Sequence, residues 1–272
     1  KLYFETLRTV KFGHYFMFTD ITSTTMTMIE PFTAIDGFIV IANQQVKGRG
    51  RKDNVWISPK GSCSFTVHFC IPLNSKLNKH LGFTQHLAAL AIVNAVKKIS
   101  SDHSIIDLKV KWPNDVYWGE KMTKLCGILA TSTMIGNTIH CFLGVGMNIS
   151  NSFPSACFND VIDYYNKSAN LNLNYMTKEE LIARVLNELE ILIDKLKMEN
   201  GFEILKQLYI DNWIHKDQIV TTNDNKDVKI IGIDEHGYLL ALELTSDKHS
   251  KTISLEPDGN SLDMLENLVK RK

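Results

Sequence analysis

With 272 residues, 44% of them hydrophobic and 9% aromatic, the chain has the length of one or two domains and enough apolar material for a sizeable core, which excludes bulk disorder. Thirty Lys and Arg balance thirty Asp and Glu. That excludes a general nucleic-acid binder, whose affinity comes from neutralising phosphates, but leaves room for one local basic site. The apolar run from Leu87 to Val93 falls far short of the roughly twenty residues of a bilayer span, so no membrane partner is expected.

In chain order, residues 37–43 (GFIVIAN), 64–71 (SFTVHFCI), 109–112, 126–131 and 139–145 are short, rich in β-branched or aromatic residues and bounded by Gly, Pro, Asn or Ser; each is expected as a strand. Residues 83–99, apolar on more than one face, are expected as a buried helix. A second helix opens at Thr177, with Glu180 as its capping-box partner and Leu181, Val185, Leu189, Leu192 and Leu196 along one face. Gly201 is expected to break it ahead of a short helix over 202–213. Beyond Trp213 the character changes: 218–222, 228–233, 238–244 and 251–255 are strand candidates, with turns at 223–226 and 234–237. So many strands in so short a stretch imply a small barrel-like unit. The fold class is therefore α+β over residues 1–214 and all-β over 215–272, with the boundary near His215.

The five cysteines (63, 70, 126, 141, 157) form no C-x-x-C and no paired spacing with histidine, so free thiols in a reducing compartment are expected rather than disulfides or a zinc site. The nine histidines form no H-x-x-x-H pair and are expected as surface or hydrogen-bonded core residues, not ligands. The chain opens on Lys1 instead of methionine, from which a removed N-terminal stretch is expected.

Several segments carry chemistry. Gln45-Val46-Lys47-Gly48-Arg49-Gly50-Arg51 follows a strand; its glycines let backbone N–H groups approach a ligand and its cations suit a phosphate or carboxylate, though a solvated basic loop reads the same way. Trp56 can stack on a purine or fold onto the adjacent sheet. Lys111-Trp112-Pro113-Asn114-Asp115 ends a strand with a polar pair, either a mounted functional group or plain turn chemistry. Lys124-Leu125-Cys126-Gly127 puts a lysine at a strand mouth, a functional cation or an edge gatekeeper. Gly144-Val145-Gly146-Met147-Asn148 closes the next strand with two glycines and an amide, which also fits a bulge and turn.

Taken in order with Thr22-Ser23-Thr24-Thr25, these segments resemble the biotin protein ligases, and the tail from Glu256 to Leu265 resembles the animal branch, the holocarboxylase synthetases. The resemblance covers nearly the whole chain. It implies a mixed sheet flanked by helices, related to the class II aminoacyl-tRNA synthetase core, followed by an SH3-like β-barrel. It implies a ligase that joins biotin to ATP as biotinyl-5′-AMP, with Mg²⁺, and passes the biotinyl group to a lysine of the biotin carboxyl carrier domains of biotin-dependent carboxylases. Lys124, Arg51 and Asp115 are the implied catalytic residues, with Asp115 either a base or a magnesium-shell group. Ser23, Thr24, Thr25, Gln45, Gly48, Arg49, Gly50, Arg51 and Lys124 would bind biotin. Trp56, Lys111, Asn114, Asp115 and Asn148 would bind the nucleotide. No dedicated protein metal site is implied.

Ser23-Thr24-Thr25 departs from the Ser-Thr-Asn of many bacterial members, which leaves the role of Thr25 open. One extra residue between Gly119 and Lys124 makes Lys121 a competitor, with Lys124 preferred because it directly precedes the strand carrying Gly127. The helix-turn-helix of bacterial ligase-repressors is missing ahead of the Ser-Thr motif, so no DNA partner is expected. The implied partners place the chain in the cytoplasm, with mitochondria as a second compartment. Rival readings are a lipoate or octanoate ligase of the same fold, which normally carries an arginine and a triple-glycine segment, and a non-catalytic biotin- or nucleotide-binding scaffold.

Overall fold

The computed structural model of the chain describes all residues except 52–53, 223–224, 245–250, 257–259, 264–267 and 272, and describes 260–263 and 268–271 without their side chains. In chain order the principal elements are α1 (Leu2–Thr6), β1 (Phe16–Thr22), α2 (Thr25–Met28), β2 (Ile39–Gln45), β3 (Gly48–Arg49), β4 (Val55–Trp56), β5 (Ser62–Pro72), α3 (Thr84–Lys97), β6 (Leu108–Lys111), β7 (Asp115–Trp118), β8 (Thr123–Ile135), β9 (Thr138–Asn148), α4 (Phe158–Ser168), α5 (Lys178–Leu196) and α6 (Gly201–Asp211). Strands β10 (Ile219–Thr221), β11 (Asp227–Ile233), β12 (Leu239–Glu243), β13 (Thr252–Leu255), β14 (Asn260–Asp263) and β15 (Leu268–Arg271) follow.

Seven strands form one mixed sheet in the order β1-β2-β5-β9-β8-β7-β6, in which β1 and β2 run parallel and the other neighbours antiparallel. The alternation along β5 divides its two faces. Cys63, Phe65, Val67, Phe69 and Ile71 point into the main core, while Ser62, Ser64, Thr66, His68 and Cys70 fall on the other face. β9 repeats the division, with Ile139, Cys141, Leu143, Val145 and Met147 in the core and His140, Gly144, Gly146 and Asn148 opposite. One face of the sheet is thus packed against α3 and α5; the other carries the polar side chains beside a small apolar cluster of Ile29, Phe38, Val40 and Phe142, against which Met26 of α2 packs.

Helix α3 lies between that apolar face and α5, which explains why Leu87 through Val93 are all buried. Helix α5 presents the heptad-like stripe foreseen in its sequence, and Thr177 caps it by accepting the Glu180 backbone N–H at 3.3 Å. The reciprocal half of the capping box is replaced: the Glu180 carboxylate instead accepts Arg184 Nε at 2.9 Å, one turn on. Replacing Thr177 by Ala is expected to lower the unfolding free energy by about 1 kcal/mol, and Thr177→Asp to restore it. Denaturant titration in which both variants fall equally would remove the cap from the account. The expected break is present but falls just ahead of Gly201, between Leu196 and the next helix, which Gly201 opens; the chain reverses at Asn200, which takes the left-handed conformation at φ 57°.

The five anticipated strands of the sheet are present as β2, β5, β6, β8 and β9, the last two running longer than their apolar runs. Strands β1 and β7 and helix α4 were not anticipated. The expected strands after His215 appear as β10 to β13, joined by β14 and β15 into a six-stranded sheet ordered β13-β12-β11-β10-β15-β14. It is antiparallel apart from the β10–β15 pair, a small β unit in keeping with an SH3-like domain. Asn223 and Asp224 of the first expected turn, and Pro257 to Gly259 with Met264 and Leu265 of the tail motif, lie outside the described residues. The two sheets meet at Trp112. Its backbone N–H donates to His215 Nε2 at 3.1 Å and its indole N–H to the Gly237 carbonyl at 2.9 Å.

Candidate active site

A β-hairpin turn, a β-bulge and two glycines build one cavity on the polar face. The turn Trp112-Pro113-Asn114 joins β6 to β7 and sets Lys111 opposite Asp115. The Asn114 backbone carbonyl accepts the Ile128 N–H at 2.9 Å while its side-chain amide donates to the Ile128 carbonyl, so the turn is stitched to β8. Along β7 and β8, Val116 pairs with Cys126 but Tyr117 pairs with Lys124, leaving Leu125 as the extra residue of a bulge. On a regular strand, Lys124 and Gly127 would face opposite ways; the bulge turns Lys124 onto the Gly127 face. A methyl group added to Gly127 would stand 3.3 Å from Lys124 Cε, in accord with that placement.

Lys124 Nζ meets Asp115 Oδ1 at 2.7 Å and lies 5.6 Å from the centre of the Trp56 ring. Trp56 arrives from the other side, on the β3–β4 hairpin, where it pairs with Gly48; a side chain on Gly48 would collide with the Trp56 backbone carbonyl. The indole lies across β8 and β9 over Gly127 and Gly146, and its N–H is buried without a hydrogen-bond partner among the described residues. A methyl group on Gly146 would overlap the indole. Absorbing such an overlap by repacking costs about 1–3 kcal/mol, and swinging a two-stranded hairpin outward costs less. Gly146→Ala is therefore expected to lift Trp56 off the sheet. Trp112, Trp118 and Trp213 are buried, so fluorescence quenching by a neutral quencher reports Trp56 and should increase. Unchanged quenching would mean that Gly146 does not seat the indole.

At the far end, Thr24 caps α2, and Gln45 ties the helix to the sheet. Gln45 Oε1 accepts the Thr25 backbone N–H at 2.8 Å and Thr25 Oγ1 at 3.1 Å, and its Nε2 donates to Ser64 Oγ at 3.1 Å. Thr66 Oγ1 donates to Thr25 Oγ1 at 2.8 Å, and Ser58 joins Ser64 at 3.2 Å. Ser58, Ser64 and Thr66 were not foreseen; for Ser64 and Thr66 the signal was the polar alternation of β5, which its apolar residues overshadowed, while Ser58 lies on the loop ahead of that strand.

Thr24, Thr25, Gln45, Arg49, Gly50, Arg51, Trp56, Lys111, Asn114, Asp115 and Lys124 all line the cavity, together with Met26, Gly127, Gly144 and Gly146. Among the described residues, four cationic side chains and one carboxylate face it, which makes it a receiver of anions. Three sequence candidates stand outside the lining. Ser23 is exposed, its carbonyl accepting the Lys47 N–H; Gly48 supports the hairpin from beneath; Asn148 is buried at the end of β9, its Oδ1 accepting Asn151 Nδ2 at 2.8 Å. Lys121, the competitor of Lys124, holds its ammonium 5.2 Å from the Tyr164 ring centre, outside the cavity. Burial pushes the neighbouring Tyr117 hydroxyl up to about 12, with the Asp115 carboxylate adding to it, so Tyr117 stays neutral near pH 7.

Known proteins resemble the chain in sequence and in fold. Residues 15–148 match the model of the biotin/lipoate A/B protein ligase family. Human biotin–protein ligase is 37% identical over 275 residues, covering 99% of this chain and 37% of its own length. Biotin–protein ligase 2 of Arabidopsis thaliana is 32% identical over 282 residues, covering 100% of this chain and 81% of its own. The chain thus spans well under half the human relative. Among solved structures, the Aquifex aeolicus biotin protein ligase in complex with biotin and ATP superposes with a TM-score of 0.62 at 21% identity, over 88% of this chain and 95% of that one, which speaks to the fold alone. The higher identity to the human than to the plant protein accords with the animal branch. On a similarity that runs along the whole of this chain and on a shared fold, the chain belongs to the biotin protein ligase family.

Proposed function

We propose that the chain is the catalytic portion of an ATP-dependent biotin–protein ligase of the holocarboxylase synthetase kind. The observation that carries the proposal is the convergence of Lys124, Asp115, Arg49, Arg51 and Trp56 on one cavity. In the first step an oxygen of the biotin carboxylate attacks the α-phosphorus of ATP, and pyrophosphate leaves with the bonding electrons. Carboxylate and phosphate repel, so the cations around their meeting point lower the barrier by stabilising charge that grows on the phosphoryl oxygens. Lys124 and Arg51 take that role, Lys111 receives the leaving pyrophosphate, and Trp56 offers its ring to adenine. The Thr24–Thr25–Gln45 corner receives the ureido head of biotin, a group that needs donors and acceptors together, with Ser23 at its rim. Gly48 and Gly50 let the hairpin backbone approach the ligand, and Asn114 and Asn148 brace the nucleotide end. In the second step the amine of an acceptor lysine displaces AMP from the mixed anhydride, forming an amide. Asp115 takes the proton that amine must shed.

Mg²⁺ would enter with the nucleotide. Asp115 is the one carboxylate lining the cavity among the described residues, which fits an ion that binds chiefly through substrate phosphates and few protein ligands. The ion would neutralise phosphate charge. The acceptors are proposed to be biotin carboxyl carrier domains of biotin-dependent carboxylases, and residues 1–214 and 215–272 to act as catalytic and C-terminal β domains. Five free cysteines suit a reducing compartment, and cytoplasm, with mitochondria as a second site, is the proposed location. Among the described residues no helix is long and apolar enough to cross a membrane.

Labelled biotin, ATP and magnesium, incubated with the chain and a carboxylase biotin domain, should put label on that domain only when all are present. Label transfer from lipoate in place of biotin, or biotin retained on the chain without transfer, would overturn the proposal in favour of a lipoate ligase or a binding scaffold.

A further inference from the structure

The polar face of the sheet carries a second cluster, beyond the cavity. His68 and Cys70 stand two residues apart on β5 and so share a face, and His140 on β9 is the direct cross-strand partner of Cys70. Cys70 Sγ lies 3.7 Å from His140 Nδ1 and 3.9 Å from His68 Nε2, and the two ring nitrogens are 2.9 Å apart. A tetrahedral zinc ion with Zn–S of about 2.3 Å and Zn–N of about 2.05 Å asks for S···N separations of about 3.6 Å and an N···N separation of about 3.3 Å. The sulfur distances are already near those values; the ring nitrogens must part by a few tenths of an ångström, and the two nearly parallel rings must turn so that both lone pairs meet at the ion.

The surroundings fix which atoms face inward. The Ile35 carbonyl, 3.1 Å from His68 Nδ1, can only accept, so that nitrogen carries the hydrogen and a neutral His68 ring turns the lone pair of Nε2 toward Cys70 and His140. This is the outer-shell arrangement that orients metal-bound histidines. Behind Cys70, its backbone N–H donates to Asp36 Oδ1 at 2.9 Å, and Asp36 is paired with Lys11 at 2.5 Å. Central strands hold all three side chains, so little ordering remains for an ion to impose. His68 is fully buried, whereas Cys70 and His140 are half-buried, which leaves an approach from solvent.

We propose that His68, Cys70 and His140 form a zinc site with three protein ligands and a fourth position for water, separate from the proposed ligase cavity, which none of the three lines. The spacing of these residues in the sequence gave the opposite expectation, because the cluster is assembled across two strands. Binding exchanges the Cys70 thiol proton for Zn²⁺: the S–H bond breaks, the proton goes to solvent, and a thiolate–zinc bond forms. His140 supplies Nδ1 by moving its own proton to Nε2, with no net release.

The test uses the whole chain, stripped of metal by chelator and dialysis, and titrated with Zn²⁺ against a chromophoric chelator. One equivalent should bind with release of about one proton per zinc. Co²⁺ in its place should give thiolate-to-metal charge-transfer absorption. Cys70→Ser, a near-isosteric change that preserves the fold, should abolish that absorption and weaken zinc binding at least about a hundredfold, as should His140→Phe. Circular dichroism identical to the parent chain verifies folding of both variants. Lack of a one-equivalent step in the parent, or binding and absorption that survive either substitution, overturns the site and leaves the cluster a hydrogen-bonded ring pair.

Discussion

Lys124→Ala should reduce biotin-dependent ATP–pyrophosphate exchange by about a hundredfold or more while leaving biotin binding measurable by calorimetry. Three features converge on this lysine. The bulge at Leu125 turns it onto the face where Gly127 and Gly146 leave room, Asp115 anchors its ammonium at 2.7 Å, and the Trp56 ring closes over it. Its charge sits where carboxylate and α-phosphate are proposed to meet, so its removal acts on charge that grows during reaction more than on ground-state binding. Lys124→Arg keeps the charge but replaces a compact ammonium by a planar fork and should recover only part of the rate. Lys121→Ala, whose ammonium rests against Tyr164, should exchange at the parental rate. Near-normal exchange in Lys124→Ala, or an equal loss in Lys121→Ala, would remove Lys124 from the proposed mechanism.

The same bulge shows where the sequence was legible and where it was not. A run such as Leu125-Cys126-Gly127-Ile128 announces a strand, but whether Lys124 faces the ligand side or the core depends on a one-residue slip of pairing that no local propensity encodes. Asn114-Asp115 after a proline reads as a turn. The turn in fact ends at Asn114, and Asp115 opens β7, where Val116, Tyr117 and Trp118 are ordinary strand formers. Strand β1 escaped notice because it lies at the sheet edge, with Phe16, Phe18 and Ile21 exposed and no clean inward alternation. Helix α4 escaped because Phe158-Asn159-Asp160 and the polar residues after it mask its four buried positions. The cavity residues were more legible than these elements. A run of glycine and charge reads equally as a solvated loop, so it was the order of several such segments along the chain that marked the cavity, and only the fold shows why Gly146 must be small, with Trp56 lying over it.

The chain should lose stability as pH falls from about 6.5 toward about 4, in part through His215 and His86. Burial holds both rings down to about 4 against an ordinary 6.5, and nearby cations, Lys111 for His215 and Arg51 for His86, act in the same direction. A folded-state value below the unfolded one means that the unfolded chain binds the proton first. The stabilisation is therefore complete above about 6.5 and drains as pH drops to the folded value. For His215 the cause is visible in its bonds. Nε2 accepts the Trp112 backbone N–H, and Nδ1 faces the Gln218 amide oxygen at 3.0 Å, so Nδ1 carries the hydrogen and Nε2 must stay bare. Protonating Nε2 would set two donors against each other at the residue that opens the Trp112-Pro113-Asn114-Asp115 turn. Acid should thus loosen the anchor of Asp115 along with the contact between the two sheets. His215→Gln presents an amide oxygen to the same N–H without titrating. Between pH 7.5 and 5.5, above the ordinary carboxylate range, the parent chain should lose about 1 kcal/mol more unfolding free energy than this variant. Equal losses in denaturant titrations at the two pH values would show that His215 is not held neutral against Trp112, and the acid sensitivity of the turn would then need another source.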